Sequence, residues 1–211
     1  MNDKEIIEYI KSGKGLPPLE DKKVNVYLDF DDTLVNSIEA ATILLNIQFG
    51  KTVDPNDIKR WDFTDQFPDV TLKEVEDVFA SEEFFYLLQE KPYAKQLVEE
   101  LDKVANVVII SKGTPRNLEL KEEYIKENFG DVEFIGLPIG VSKSNYMKKR
   151  CIIVDDNVKY LNEAYDVADI PILYRQDNIA RDYNDGWSGI KIVQWCPKTI
   201  QIMKKLVENL K

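Results

Sequence analysis

Five short apolar runs, with stretches of helical spacing between several of them, constrain the fold of this chain more than any other feature. They are Val24-Asn25-Val26-Tyr27-Leu28, Val107-Val108-Ile109-Ile110, Val132-Glu133-Phe134-Ile135, Cys151-Ile152-Ile153-Val154 and Ile170-Pro171-Ile172-Leu173-Tyr174. Several are nearly continuous in apolar residues, as expected of strands covered on both faces. Helical stretches are expected near 92–104, 115–129 and 157–167. Strands alternating with helices point to an α/β fold with a doubly wound parallel sheet. A further edge strand is expected within Gly189–Trp195, ahead of a terminal helix near 197–210. At the start, Ile6, Ile7 and Ile10 recur at helical spacing over residues 3–12, and Gly15–Pro18 read as a loop.

One interval breaks the alternation. More than seventy residues separate the first strand from the second, far more than one crossover helix needs. Residues 36–91 are helical in pattern and rich in aromatics: Phe49, Trp61, Phe63, Phe67, Phe79, Phe84, Phe85 and Tyr86. They are expected to form a small helical cap inserted after the first strand, over the C-terminal edge of the sheet. The core domain then comprises residues 1–35 and 92–211.

Composition narrows the chemistry. The chain has no histidine, which removes Ser-His-Asp and Cys-His nucleophile systems and His-ligated zinc. Catalysis has to run on carboxylates, lysines, hydroxyls and a metal. A formal net charge of −10 argues against a nucleic-acid polymer as partner. It leaves room for a small anionic substrate if a local cation offsets the repulsion. With 44% hydrophobic and 31% charged residues, the chain has the balance of a globular domain. No apolar run is long enough to span a membrane, and the N-terminus lacks the pattern of a signal peptide. Two cysteines, Cys151 and Cys196, are too few for a disulfide framework, so a cytoplasmic location is expected.

Four polar clusters fall at or near the C-terminal ends of the expected strands, the edge at which open parallel sheets bind ligands. Asp29 and Asp31 follow the first strand in Asp29-Phe30-Asp31-Asp32-Thr33. Two carboxylates so placed can divide the work. Asp29 acts as nucleophile and forms an aspartyl-phosphate; Asp31 protonates the leaving alcohol and then activates water. Ser111 follows the second run, where its hydroxyl and the backbone N–H groups of Lys112 and Gly113 can hold phosphate oxygens. Lys143, in Gly140-Val141-Ser142-Lys143-Ser144, can neutralise the phosphoryl group and the attacking carboxylate; Lys148, Lys149 and Arg150 compete for that role. Asp155-Asp156 end the fourth run. Adjacent acids at a buried strand end call for a cation, and Mg²⁺ is the usual partner of oxygen ligands beside phosphate. Taken singly, each cluster has an ordinary structural explanation, such as an Asp-rich turn or a surface lysine. Their joint order is what carries the functional reading.

In these four clusters the chain resembles the haloacid-dehalogenase superfamily. Asp29-Phe30-Asp31-Asp32-Thr33-Leu34 is similar to its first motif, Ser111 to its second, Lys143 to its third and Asp155-Asp156 to its fourth. The resemblance implies a three-layer Rossmann-like core with strand order 5-4-1-2-3. It also implies Mg²⁺ held by the Asp29 carboxylate, the Asp31 backbone carbonyl and an acid of Asp155-Asp156. Within the superfamily, Glu83–Leu88, Lys91-Pro92-Tyr93-Ala94, Lys121–Gly130 and the tail Gly186–Trp195 resemble the 5'(3')-deoxyribonucleotidases. One departure stands out: that group often carries Gly-Val or a similar pair where this chain has Asp32-Thr33, a form common among phosphatases in general.

The resulting expectation is a Mg²⁺-dependent phosphomonoester hydrolase acting on (deoxy)nucleoside monophosphates, with Trp61, Phe63, Phe84 and Phe85 as cap aromatics available to stack on a base. Two alternatives stay open. The same site can serve another small phosphate ester or a nucleic-acid 3'-phosphate, or the fold can carry a non-catalytic binding module.

Overall fold

The computed structural model describes residues 24–176 and 179–211. Its sheet has six strands, all parallel, in the order β3-β2-β1-β4-β5-β6. The strands are β1 (Asn25–Leu28), β2 (Asn106–Gly113), β3 (Glu133–Pro138), β4 (Cys151–Asp155), β5 (Ile170–Tyr174) and β6 (Ile190–Ile192). The expected order of five strands is met, with β6 added at the edge. The helix expected over residues 3–12 and the loop at 15–18 lie outside the described residues.

Side chains alternate across the sheet, as the two-residue strand repeat requires. Val26, Leu28, Val107, Ile109, Ile152, Val154 and Ile172 pack on one face. There they meet α4 (Ala94–Asp102), α5 (Pro115–Phe129) and α7 (Pro197–Leu210), through residues such as Leu97, Ile125 and Met203. Tyr27, Val108, Ile110, Cys151, Ile153 and Leu173 pack on the opposite face against Leu161 and Ala164 of α6 (Val158–Ala164). With apolar neighbours on both sides, the central strands have almost no polar positions until their C-terminal ends.

β2 runs three residues beyond its apolar run. Ser111, Lys112 and Gly113 pair with Gly136, Leu137 and Pro138 of β3, so they are strand rather than the loop the sequence suggests. A Cβ at Gly113 would stand 2.1 Å from Asn117 Oδ1 on the following helix, so a larger residue there would displace the Asn117 side chain. Among the described residues, both cysteines are free thiols and no helix is long and apolar enough to cross a membrane.

Between β1 and α4 the chain forms α1 (Ser37–Phe49), α2 (Leu72–Phe79) and α3 (Glu82–Leu87), with a 3-10 turn at Pro55–Asp57. The helix starts follow local chemistry. Thr71 and Glu74 form a reciprocal capping box on α2, and the Ser81 hydroxyl accepts from the Phe84 N–H on α3. The segment leaves and rejoins the sheet side by side. Asn36 N–H donates to Gln89 O at 2.9 Å, and Lys91 N–H donates to Leu34 O at 2.8 Å. Its apolar residues, among them Phe63, Phe67 and Phe84, continue the core of one sheet face.

Ile153 is completely buried at the middle of β4. Ile153→Ala is expected to lower unfolding free energy by about 2–5 kcal/mol, read as a lower urea midpoint with an unchanged m-value.

Candidate active site

The rim formed by the C-terminal ends of β1, β2 and β4 gathers the polar residues that the sequence marks. Asp29 follows β1 directly, and its N–H donates to Val154 O of β4 at 2.9 Å, so it extends the ladder by one residue. Asp155 ends β4 on the adjacent strand. Strand adjacency therefore brings together two carboxylates that are far apart in sequence. Asp156 completes the group: Asp29, Asp155 and Asp156 each offer an oxygen, all within 4.8 Å of one another.

Lys143 lies among them, at the head of the 3-10 turn Lys143–Tyr146. It is fully buried, and its Nζ donates both to Asp29 Oδ1 and to Asp155 Oδ2, the latter at 2.7 Å. The ring of Tyr160 lies 5.2 Å from the same ammonium. Lys148, Lys149 and Arg150 are exposed, which decides among the competing cations. Asp155 Oδ1 accepts from the Asn157 N–H at 2.9 Å.

The Asp31 carboxylate faces a different set of partners. Ser37 Oγ donates to Oδ1 at 2.7 Å, while Ser111 Oγ, at 3.3 Å, and Lys121 Nζ donate to Oδ2. Lys121 comes from α5 and is buried. Its ammonium also donates to Ser111 Oγ at 2.9 Å and to Lys112 O at 3.0 Å. Three acceptors thus meet the three N–H donors of one lysine. Lys121 joins the β1 loop to the end of β2, yet sequence reasoning gave it no role. Its neighbours Glu122 and Glu123 make the helix surface there look solvated, and the signal that marks it is spatial. The Lys112 side chain turns away to the Tyr160 ring, 3.8 Å from its centroid, and to Glu163 at 3.7 Å.

Asp32 adopts the left-handed region with φ 48°, a conformation that Asp tolerates better than most side chains. Asp32 also lines a small cavity of about 30 Å³ with Asp156, Lys91 and Arg181.

The charges at the rim are not balanced. Around Lys143, three carboxylates face one ammonium, leaving two negative charges when all are ionised. Burial pushes the Asp29 carboxyl up to about 7; Lys143 opposes this, and Asp155 and Asp31 add to it. Burial, with Asp155, Asp29 and Asp32 nearby, raises Asp156 well above the usual carboxylate range. Burial alone would lower the Lys143 pKa, but Asp155 and Asp29 hold its ammonium above the ordinary lysine range. An all-oxygen donor set with an excess of two negative charges fits a hard divalent cation.

The four cap aromatics separate by exposure. Phe63 and Phe84 are completely buried, and Phe85 is packed edge-on to Phe84 and beside Tyr124. These three build the core of the helical segment. Trp61 alone of the four is strongly exposed, at 52%. It lines an open groove of about 720 Å³ with Asn157, Lys159, Asn162, Asp182 and Tyr183.

No family model matches the chain. It is 27% identical over 136 residues to a 5'(3')-deoxyribonucleotidase of Clostridium acetobutylicum, covering 64% of this chain and 74% of that protein. Among solved structures it resembles a haloacid dehalogenase-like hydrolase of Streptococcus pneumoniae, with a TM-score of 0.59 and 14% identity over 86% of this chain and 98% of that one. It also resembles a hydrolase of the same type from Deinococcus radiodurans, solved with bound phosphate and sodium. There the TM-score is 0.59 with 14% identity, over 90% of this chain and 97% of that one. The fold is that of the haloacid-dehalogenase hydrolases.

A divalent cation is expected to stabilise the protein by binding only the folded state. Protons on Asp29 and Asp156 compete with it; both carboxyls are raised, Asp29 to about 7, so the competition grows as pH falls. The melting-temperature increase on adding MgCl₂ should therefore be larger at pH 8 than at pH 5.5, and should shrink at both in Asp155→Asn. Differential scanning fluorimetry at the two pH values checks this; an increase independent of pH would contradict it.

Proposed function

On this fold of the haloacid-dehalogenase hydrolases, we propose a Mg²⁺-dependent phosphatase that works through an aspartyl-phosphate and acts on (deoxy)nucleoside monophosphates. The observation that carries the reading is Lys143, buried between Asp29 and Asp155 with Asp156 alongside. A nucleophilic carboxylate, a cation for the transferring group and an anionic pocket for a metal occupy one strand edge.

In this reading the carboxylates of Asp29, Asp155 and Asp156, with the backbone carbonyl of Asp31, would hold Mg²⁺. Bound there, the ion supplies positive charge that offsets the phosphate and the attacking carboxylate. Lys143 and the Ser111 hydroxyl hold phosphoryl oxygens, and Lys112 and Gly113 contribute backbone at the same strand end. An Asp29 oxygen attacks phosphorus. The P–O ester bond breaks with its electron pair on the leaving oxygen, which takes a proton from the Asp31 carboxyl and departs as the alcohol. Asp31, now a carboxylate, removes a proton from water as the water oxygen attacks phosphorus. The Asp29–phosphorus bond breaks, and inorganic phosphate leaves. Proton transfer by a placed carboxyl contributes about 10²–10⁴-fold; placement and electrostatic stabilisation supply much of the rest.

Residues 36–91 act as the cap domain on a core of residues 1–35 and 92–211, a division supported by the paired hydrogen bonds at Asn36 and Lys91. The groove under Trp61 takes the nucleoside end of the substrate. Its volume of about 720 Å³ lies in the range of small-molecule sites, and an exposed indole beside it is suited to stacking on a base. The identity to a deoxyribonucleotidase supports the same substrate class.

Asp29→Asn is expected to lower p-nitrophenyl phosphate turnover by about 10⁴-fold or more with an unchanged circular dichroism spectrum; full activity would contradict the assignment. A panel of phosphate esters with and without Mg²⁺ tests the substrate. Release of phosphate from deoxynucleoside monophosphates above that from sugar phosphates, phosphoserine and 3'-phosphorylated oligonucleotides supports the nucleotidase reading. Indifference to the nucleotides removes it, and absence of Mg²⁺-dependent release from every ester favours a binding module.

A further inference from the structure

Residues Arg181–Asp185 lie on the segment between β5 and β6; Arg181 shares the cavity of Asp32 and Asp156, and Asp182 and Tyr183 line the Trp61 groove. They hold the groove together from both sides. The Arg181 side chain is only 7% exposed, and its Nη1 donates to Ile58 O and, at 3.4 Å, to Pro55 O. The next residue repeats the link: Asp182 N–H donates to Lys59 O at 3.0 Å. Three hydrogen bonds thus tie this turn to residues 55–59, immediately ahead of Trp61. On the other side, Tyr183 O accepts from the Val158 N–H at 2.9 Å, at the first turn of α6 and three residues past Asp155. Asn184 closes the turn on itself by accepting from the Arg181 N–H at 2.9 Å.

The consequence is geometric. Trp61, from the 55–61 loop, and Asn157 and Lys159, from the start of α6, line the same groove. Ile58 is completely buried, so the backbone Arg181 grips is anchored rather than loose. A guanidinium suits the position because one rigid, permanently charged group can reach two carbonyl oxygens at once. An apolar residue at 181 would leave the Ile58 and Pro55 carbonyls without that donor.

We propose that Arg181 is a positioning residue for substrate selection: it fixes the 55–61 loop so that Trp61 faces the part of the substrate remote from the phosphate. The inference rests on the reading of the Trp61 groove as the nucleoside site. It assigns Arg181 no contact with the phosphoryl group and no share in the bond-making steps.

The test compares a deoxynucleoside monophosphate with p-nitrophenyl phosphate in wild type, Arg181→Ala, Trp61→Ala and the double variant. For Arg181→Ala, the KM for the nucleotide is expected to rise about tenfold more than the KM for the aryl ester, with kcat for the nucleotide falling less than threefold. The double variant should show nearly the same ratio as Trp61→Ala alone, since residues acting through one contact are not additive. A merely structural role for Arg181 would lower activity equally on both esters; that result, or full additivity with Trp61→Ala, would overturn the proposal. Arg181→Lys keeps the charge and one route to the carbonyls. If Arg181→Ala does not fold, the lysine variant is judged by the same two criteria, with a smaller expected KM ratio. If Trp61→Ala leaves the KM ratio unmoved, the groove reading itself fails; a ratio moved by Trp61→Ala but not by the Arg181 variants removes only the role of Arg181.

Discussion

A single buried ammonium governs the arrangement of the rim. Asp29 and Asp155 end adjacent parallel strands, and parallel pairing places their carboxylates side by side whatever their separation along the chain. Burying two such groups unpaired would be very unfavourable. Lys143, delivered by the turn ahead of β4, bridges both. It makes no ion pair with the third acid, Asp156, which shares a cavity with Asp32, Lys91 and Arg181. The same principle recurs around it, with Lys121 opposite Asp31, and with Lys91 and Arg181 near Asp32. Two of the three acidic groupings therefore have a local cation for each carboxylate. The grouping around Asp29 stays in deficit, a charge balance that suits a divalent ion.

Much of this was legible in the chain because the apolar runs end where the acids begin. A strand covered on both faces tolerates few polar residues, so Asp29, Ser111 and Asp155 stand out as the polar residues that close the apolar runs, and strand order then places them together. The helices over 115–129 and 197–210 were equally legible, each opening with a proline suited to the first turn. The extent of β2 was not: Ser111-Lys112-Gly113 carry no apolar signal, and only the partner strand β3 extends the pairing through them. Lys121 was hidden for a related reason. A lysine among glutamates on a helix reads as surface, and its burial follows from the way α5 crosses the end of β2.

The aromatic residues show the same limit from the other direction. Composition marks residues 36–91 as rich in rings, and three of the four candidates for a substrate role turn out to pack against one another or against the core. Only exposure separates a ring that fills space from one that is available to a ligand. Trp61 has the exposure, and the turn that holds its loop comes from the far end of the sheet, beyond β5. Sequence proximity gives no hint of that link. Asp32 is the converse case, a departure legible at once. It occupies a left-handed backbone position, and Lys91 and Arg181 share its cavity.

The narrow neck at Asn36 and Lys91 bears on how such a protein can diversify. A segment joined to its scaffold by two neighbouring strands of chain is open to replacement as a unit, because few backbone bonds to the sheet have to be rebuilt. Here, however, the segment is fastened a second time, by Arg181 and Asp182. Transplanting residues 36–91 into a relative without that turn would move the rings but lose the fastening. Exchange of the segment therefore has to carry two distant stretches together to keep this fastening intact.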